Sequence, residues 1–156
     1  MVSPELLRRY PFFGPFDEKQ LRELSFIANE ETAIEGDILF KECDAAEKLY
    51  FLLEGDIELF YTSEEEYHPK SSKRFTAGEI NPGEVFSISA VIPPYVLSAS
   101  ARAVKPSRYI SINGIELRSL MQSDCLLGYT MMLQVTNAIM ERLVYTRVQL
   151  AAAWAK

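Results

Sequence analysis

Apolar residues fall along the chain in three textures. Up to about residue 30 they recur at helical spacing. Leu6 and Leu7 open a short segment, and Asp17 stands before Leu21, Leu24, Ile27 and Ala28 as an N-cap stands before a helix. Phe12, Phe13 and Phe16 occupy the Gly- and Pro-broken junction between the two. From Thr32 the apolar runs shorten and are punctuated by Glu35-Gly36, Cys43-Asp44, Glu54-Gly55, Ala77-Gly78 and Pro82-Gly83, which predicts many short strands. Leu49-Tyr50-Phe51-Leu52-Leu53 is continuously apolar, then Ile57, Leu59 and Tyr61 alternate with Asp56, Glu58 and Phe60, so Glu54-Gly55 is read as the turn of a hairpin. A last pair of strands is expected over 98–104 and 108–112. Helical spacing then returns from Ile115, and the Pro-free stretch 127–156 is the longest predicted helix.

On that long helix Met132, Thr136, Ile139, Leu143, Thr146, Leu150 and Ala153 recur at alternating four- and three-residue steps. Such a seam suits either a helix folded back on its own barrel or a parallel pairing with a second copy, in which Met132, Thr136, Ile139, Leu143, Thr146 and Leu150 would form the interface. The whole reads as one mainly β domain: a helical part over 1–30, a jelly-roll β-barrel over 31–113 and C-terminal helices over 114–156.

Composition narrows the function classes. The 156 residues are 48% hydrophobic and 24% charged, enough for one domain with a real core. A formal net charge of -6 argues against a nucleic-acid glove or a polybasic membrane anchor. The N-terminal stretch carries charges where a signal peptide needs an apolar centre, and Pro93-Pro94 interrupts the most apolar later stretch, so a cytoplasmic protein with no membrane span is expected. Cys43 and Cys125 form no CxxC pair, which indicates neither a disulfide framework nor a zinc knuckle. The single histidine, His68, sits in Glu64-Glu65-Glu66-Tyr67-His68-Pro69-Lys70, read as a solvated loop. With no second His, no Gly-x-Ser-x-Gly elbow and no Walker loop, no enzyme, metal or resident cofactor is expected.

The motifs Gly36-Asp37-Ile38-Leu39-Phe40-Lys41-Glu42-Cys43-Asp44 and Lys48-Leu49-Tyr50-Phe51-Leu52-Leu53-Glu54-Gly55-Asp56-Ile57-Glu58-Leu59 resemble the first hairpin signature of the cyclic nucleotide-binding domain, as in the bacterial catabolite activator. Gly83 matches a further family glycine. Ser107-Arg108-Tyr109-Ile110-Ser111-Ile112 and Leu117-Arg118-Ser119-Leu120 resemble its last strand and the entry to its terminal helices. The resemblance covers nearly the whole chain and implies the same barrel.

It also implies a binding cassette. In the family, Gly-Glu opens a short helix and, about ten residues on, Arg-Ser or Arg-Thr precedes Ala; helix N–H groups and the Arg hold the cyclic phosphate, and the Glu takes the ribose hydroxyl. Aligning Phe86 and Ser98-Ala99 to that pattern puts Ser87 at the glycine, Ile88 at the glutamate and Leu97 at the arginine. Glu84 falls one turn early, and Arg102 matches a later arginine on the same strand. The resemblance therefore implies a ligand site at Phe86, Ser87, Ile88, Ser89, Ala90, Leu97, Ser98 and Ala99, with Thr146 of the last helix where a family residue reaches the base and Arg147 beside it over the barrel mouth. Hydroxyls in place of the charged pair suit a neutral or zwitterionic ligand, and ordinary binding of cyclic AMP or cyclic GMP is not expected.

Three functions stay open at this point. The first is a stand-alone regulatory sensor whose last helix reports the state of the pocket to a second copy or a protein partner. The second is a ligand-free interaction or dimerisation module with Ile88 and Leu97 filling the old pocket. The third is a cyclic-nucleotide-responsive regulator lacking a DNA-binding domain.

Overall fold

The computed structural model describes the backbone of residues 1–65 and 68–155, and their side chains apart from 63–73. Two short helices, α1 (Pro4–Arg8) and α2 (Glu18–Phe26), flank a 3-10 turn at Pro11–Phe13. Asp17 caps α2 as its position predicts: its carboxylate accepts from Gln20 N at 2.8 Å while the Gln20 side chain accepts from Asp17 N at 2.9 Å. Ala28 does not belong to that helix. It opens β1 (Ala28–Ala33), which pairs with the last strand of the barrel, so the helical part ends a few residues earlier than residue 30.

Eight antiparallel strands follow: β1, β2 (Ile38–Phe40), β3 (Lys48–Glu54), β4 (Ile57–Glu65), β5 (His68–Ile80), β6 (Val85–Phe86), β7 (Ser100–Ala103) and β8 (Ser107–Asn113). They form two facing sheets in the orders β1-β8-β3-β6 and β2-β7-β4-β5. This is the expected jelly roll, but β3 and β4 are not a hairpin: the chain turns the corner at Glu54-Gly55 from one sheet into the other. The expected pair near the end of the barrel is likewise split, β7 lying on β4 and β8 on β3, with boundaries at 100–103 and 107–113. The two corners touch. Gly55 has φ +108°, and a Cβ there would stand 2.2 Å from Ser107 Oγ. The segment read as a loop around the histidine is the end of β4 and the start of β5, with Glu65 opposite His68; Glu66, Tyr67 and the His68 side chain lie outside the described residues.

β3 is continuously apolar because both of its faces are buried. Leu49, Phe51 and Leu53 pack with the helices, together with Leu7, Phe13, Leu24, Leu117 and Leu127. Tyr50 and Leu52 point the other way, into the space between the sheets with Ile57, Ile80, Phe86 and Tyr109. After β8 come α3 (Gly114–Ser123) and α4 (Cys125–Trp154). Leu127, Met131 and Val135 bury the first half of α4 on the helical side of the core, and Gln134 Nε2 donates to Phe12 O at 2.8 Å. Beyond it α4 meets the barrel through Arg142, while Met140, Leu143, Val144, Tyr145 and Trp154 are exposed. No described helix is long and apolar enough to cross a membrane, and no group of His, Cys, Asp and Glu among the described residues could hold a metal ion.

Candidate functional site

Between β6 and β7 the chain forms the cassette segment: Ser87, a 3-10 turn over Ile88–Val91, a cis Pro93-Pro94 bond and the approach to β7. Ser87 stands at φ 58° and ψ 42°, a left-handed conformation natural to glycine. Its hydroxyl donates to Lys48 O at 2.7 Å and so ties the cassette to the start of β3. The serine thus keeps the backbone shape expected of a glycine at this place while adding an anchor.

Of the residues singled out in the sequence, Ser87, Ile88, Ser89, Leu97, Ser98 and Ala99 line one cavity of about 220 Å³, together with Phe40, Leu59, Ala77 and Arg142. Leu97 is 6% exposed and Ile88 half-buried, so both narrow it with apolar surface. Phe86 and Ala90 lie behind this lining, fully buried in the two halves of the core. Thr146 and Arg147 are exposed on α4 and line none of the described cavities, and the mouth is covered instead by Arg142, one turn earlier. Glu84 does not enter the cavity; its carboxylate accepts from Asn81 N and Nδ2 at 3.3 and 3.0 Å and lines the adjoining space beside Arg142. Arg102 is engaged with Glu58 at 2.7 Å on the sheet.

Arg142 was not singled out in the sequence, where it looks like any polar residue of a long helix. Its Nη2 donates to Val85 O at the start of β6, its Nε is buried without a partner among the described residues, and it makes no ion pair with a described residue. Burial holds its pKa below the ordinary arginine value, against the pull of the Glu84 and Glu141 charges. A second arginine holds the far end of the cassette: Arg118 of α3 donates to Ala90 O at 2.6 Å and lies 4.0 Å over the Tyr95 ring. Both terminal helices are therefore fastened to cassette carbonyls. A signal in sequence for Arg142 would have been its place in the four- and three-residue steps Met131, Val135, Ala138 and Arg142, which continue the barrel-facing stripe onto a charge.

Comparison with known proteins agrees with this architecture. The sequence model of the cyclic nucleotide-binding domain matches residues 30–124. A crystal structure from Geobacter metallireducens GS-15, of a protein named for cyclic nucleotide binding, is 38% identical, covers 92% of this chain and 99% of its own, and superposes with a TM-score of 0.81. The sensor domain of the transcriptional regulator DNR from Pseudomonas aeruginosa, 18% identical over 86% of this chain and 91% of its own, shares the fold with a TM-score of 0.66. Among curated proteins, one named a potassium channel in Rhodopseudomonas palustris is 24% identical over 124 residues, 80% of this chain; the match spans 28% of that protein's length.

Proposed function

The chain belongs to the cyclic nucleotide-binding domain family, and we propose that within it the chain is a non-enzymatic regulatory sensor that does not take cyclic AMP or cyclic GMP through the usual cassette. The observation that carries this reading is Arg142: a half-buried cation, its Nε buried and unpartnered and with no ion pair among the described residues, lines the cassette cavity from the last helix, while the cassette itself presents Ser87, Ile88 and Leu97. A ligand with one negative end and a neutral or zwitterionic body fits that arrangement. Its anion would meet Arg142, and its body would lie on Leu59, Ile88 and Leu97 with the Ser89 and Ser98 hydroxyls beside it. Because Arg142 is part of α4, occupation of the pocket would be read directly by the helix.

We further propose that α4 reports to a second copy of the chain. Its distal half exposes Ile139, Met140, Leu143, Val144 and Leu150, apolar side chains that a second copy could cover. Thr136, Leu143, Thr146 and Leu150 are on the free side, and Met132 is half-buried beside it. Residues 139–154 extend about 24 Å, long enough for two heptads of a twofold pairing. Native mass spectrometry of the purified protein tests the sensor reading. An adduct of a few hundred daltons that is lost in Arg142→Met supports it. Ligand-free protein, with no shift in melting temperature against a panel of small anions and zwitterions, supports the competing reading of a pure dimerisation module.

A further inference from the structure

A second cavity, of about 490 Å³, shares Phe40, Ser87 and Leu97 with the cassette cavity and opens beside the turn between β2 and β3. Its size lies within the range of about 300–1,000 Å³ common for small-molecule sites. Leu39, Phe40, Tyr50 and Leu97 form an apolar and aromatic wall of a cavity whose surface is mostly polar, with the Phe40 and Tyr50 rings stacked at 5.6 Å and Tyr50 stacked in turn on Phe86 at 5.2 Å. The rim carries Asp44, Glu47 and Lys48. Lys48 is already balanced, since its ammonium lies 3.1 Å from Glu31, which also accepts the Ser111 hydroxyl at 2.7 Å. Asp44 and Glu47 make no ion pair with a described residue, so the rim is left negative.

Tyr50 supplies an independent observation. It is 9% exposed, lines the cavity, and its hydroxyl has no hydrogen-bond partner among the described residues. Burial, with the Glu31 and Glu47 charges, pushes its pKa up to about 12, so at neutral pH it stays a hydrogen-bond donor. The ring is buried while the hydroxyl is reached from the cavity, so it can donate to an acceptor held there.

We propose that this cleft binds a small organic ammonium ion that also carries a hydrogen-bond acceptor, the cationic end between Asp44 and Glu47, the carbon skeleton on Leu39, Phe40 and Leu97, and the acceptor on the Tyr50 hydroxyl. An inorganic cation does not suit the aromatic wall, and an anion does not suit the rim. The site is separate from Arg142 and does not depend on the sensor reading.

The test is a two-dimensional amide NMR titration of the whole chain at neutral pH with 2-(4-methoxyphenyl)ethylammonium chloride, against its neutral analogue 2-(4-methoxyphenyl)ethanol and against potassium chloride. Saturable shifts at the amides of residues 44–48, Ser87 and Leu97 are expected for the ammonium and none for potassium chloride, with affinity falling about tenfold for the alcohol and for Asp44→Asn combined with Glu47→Gln. Tyr50→Phe should weaken it about threefold. The two carboxylate substitutions are on exposed residues, and an otherwise unchanged spectrum verifies the fold. No saturable shift at those amides up to about 20 mM ammonium, or equal affinity for the alcohol or for the double variant, overturns the proposal.

Discussion

Arg142 donates to the main-chain carbonyl of Val85, so the last helix is fastened directly to the strand that leads into the cassette. The bond joins the two parts that a sensor must couple, and it leaves the guanidinium desolvated with its Nε unpartnered. A structural arginine in that setting would be expected to have a carboxylate beside it. The absence of an ion pair with any described residue is what makes its retention costly and its use by a ligand reasonable.

Arg142→Met should therefore leave the ligand-free protein as stable as wild type, or more stable by about 1 kcal/mol, because a flexible apolar side chain of similar length removes a buried charge. Urea unfolding at neutral pH measures it. A loss above about 2 kcal/mol would instead make the bond to Val85 a structural latch.

Leu97 stands where the family resemblance places the phosphate-binding arginine, a loss of about 2–5 kcal/mol for a cyclic phosphate, and Arg142 approaches the cavity from α4 rather than from the cassette. Calorimetric titration of wild type with cyclic AMP or cyclic GMP should accordingly give no dissociation constant of micromolar or tighter strength. Ile88→Glu with Leu97→Arg restores the charged pair on a backbone whose Ser87 already holds the left-handed turn, and should create measurable binding. If neither nucleotide binds the double variant, Arg142 or Ile88's neighbours obstruct the phosphate.

Leu143 is 48% exposed on the free half of α4, so an aspartate there costs the isolated fold little. Across a twofold seam the same change places like charges together in a desolvated site, at about 2–5 kcal/mol. Sedimentation equilibrium at about 20–50 µM should show a wild-type dimer and a Leu143→Asp monomer with unchanged circular dichroism. A wild-type monomer, or a variant that stays dimeric, excludes this seam.

Acid should weaken the barrel through Glu58. The Arg102 guanidinium at 2.7 Å, with the Thr76 hydroxyl at 2.9 Å, holds its folded pKa below the usual carboxylate value. A depressed folded pKa means that the stabilisation is complete above the unfolded value of about 4.5 and is lost as pH falls through the folded one. Glu31 adds in the same direction: burial raises its pKa, but the Ser111 and Lys48 hydrogen bonds outweigh it. Glu79 acts oppositely, because its hydrogen bond with Asp56 raises its pKa and its protonation relieves repulsion as pH falls. Glu58→Gln should cost about 1 kcal/mol at pH 7 and flatten the fall in melting temperature below about pH 4.5. Parallel pH profiles for variant and wild type would remove Glu58 from the acid response.

Local pattern fixed much of the fold, because helix caps, turns and side-chain period are properties of a few consecutive residues. Asp17 before its apolar stripe marked α2, the continuous run at 49–53 marked a strand buried on both faces, and the order of landmarks from Gly36 to Leu120 marked the family. The same local view failed at the corners. The continuous run of β3 and the alternation of β4 look the same whether the strands pair with one another or lie in opposite sheets, and the corner between them packs Gly55 against Ser107, far apart in sequence.

The candidate pocket divides in the same way. The departures at Ser87, Ile88 and Leu97 were legible because they are consecutive or nearly so, and each can be compared with the expected pattern position by position. That Thr146 faces solvent while Arg142 enters the barrel was decided by the rotation of α4 about its axis, which the packing of Leu127, Met131 and Val135 sets. The sequence by itself therefore determined most of the elements and the family. Only the tertiary structure decided which strands meet and which charge enters the cavity, because both depend on how distant apolar faces pack, and that is not contained in the spacing of neighbouring residues.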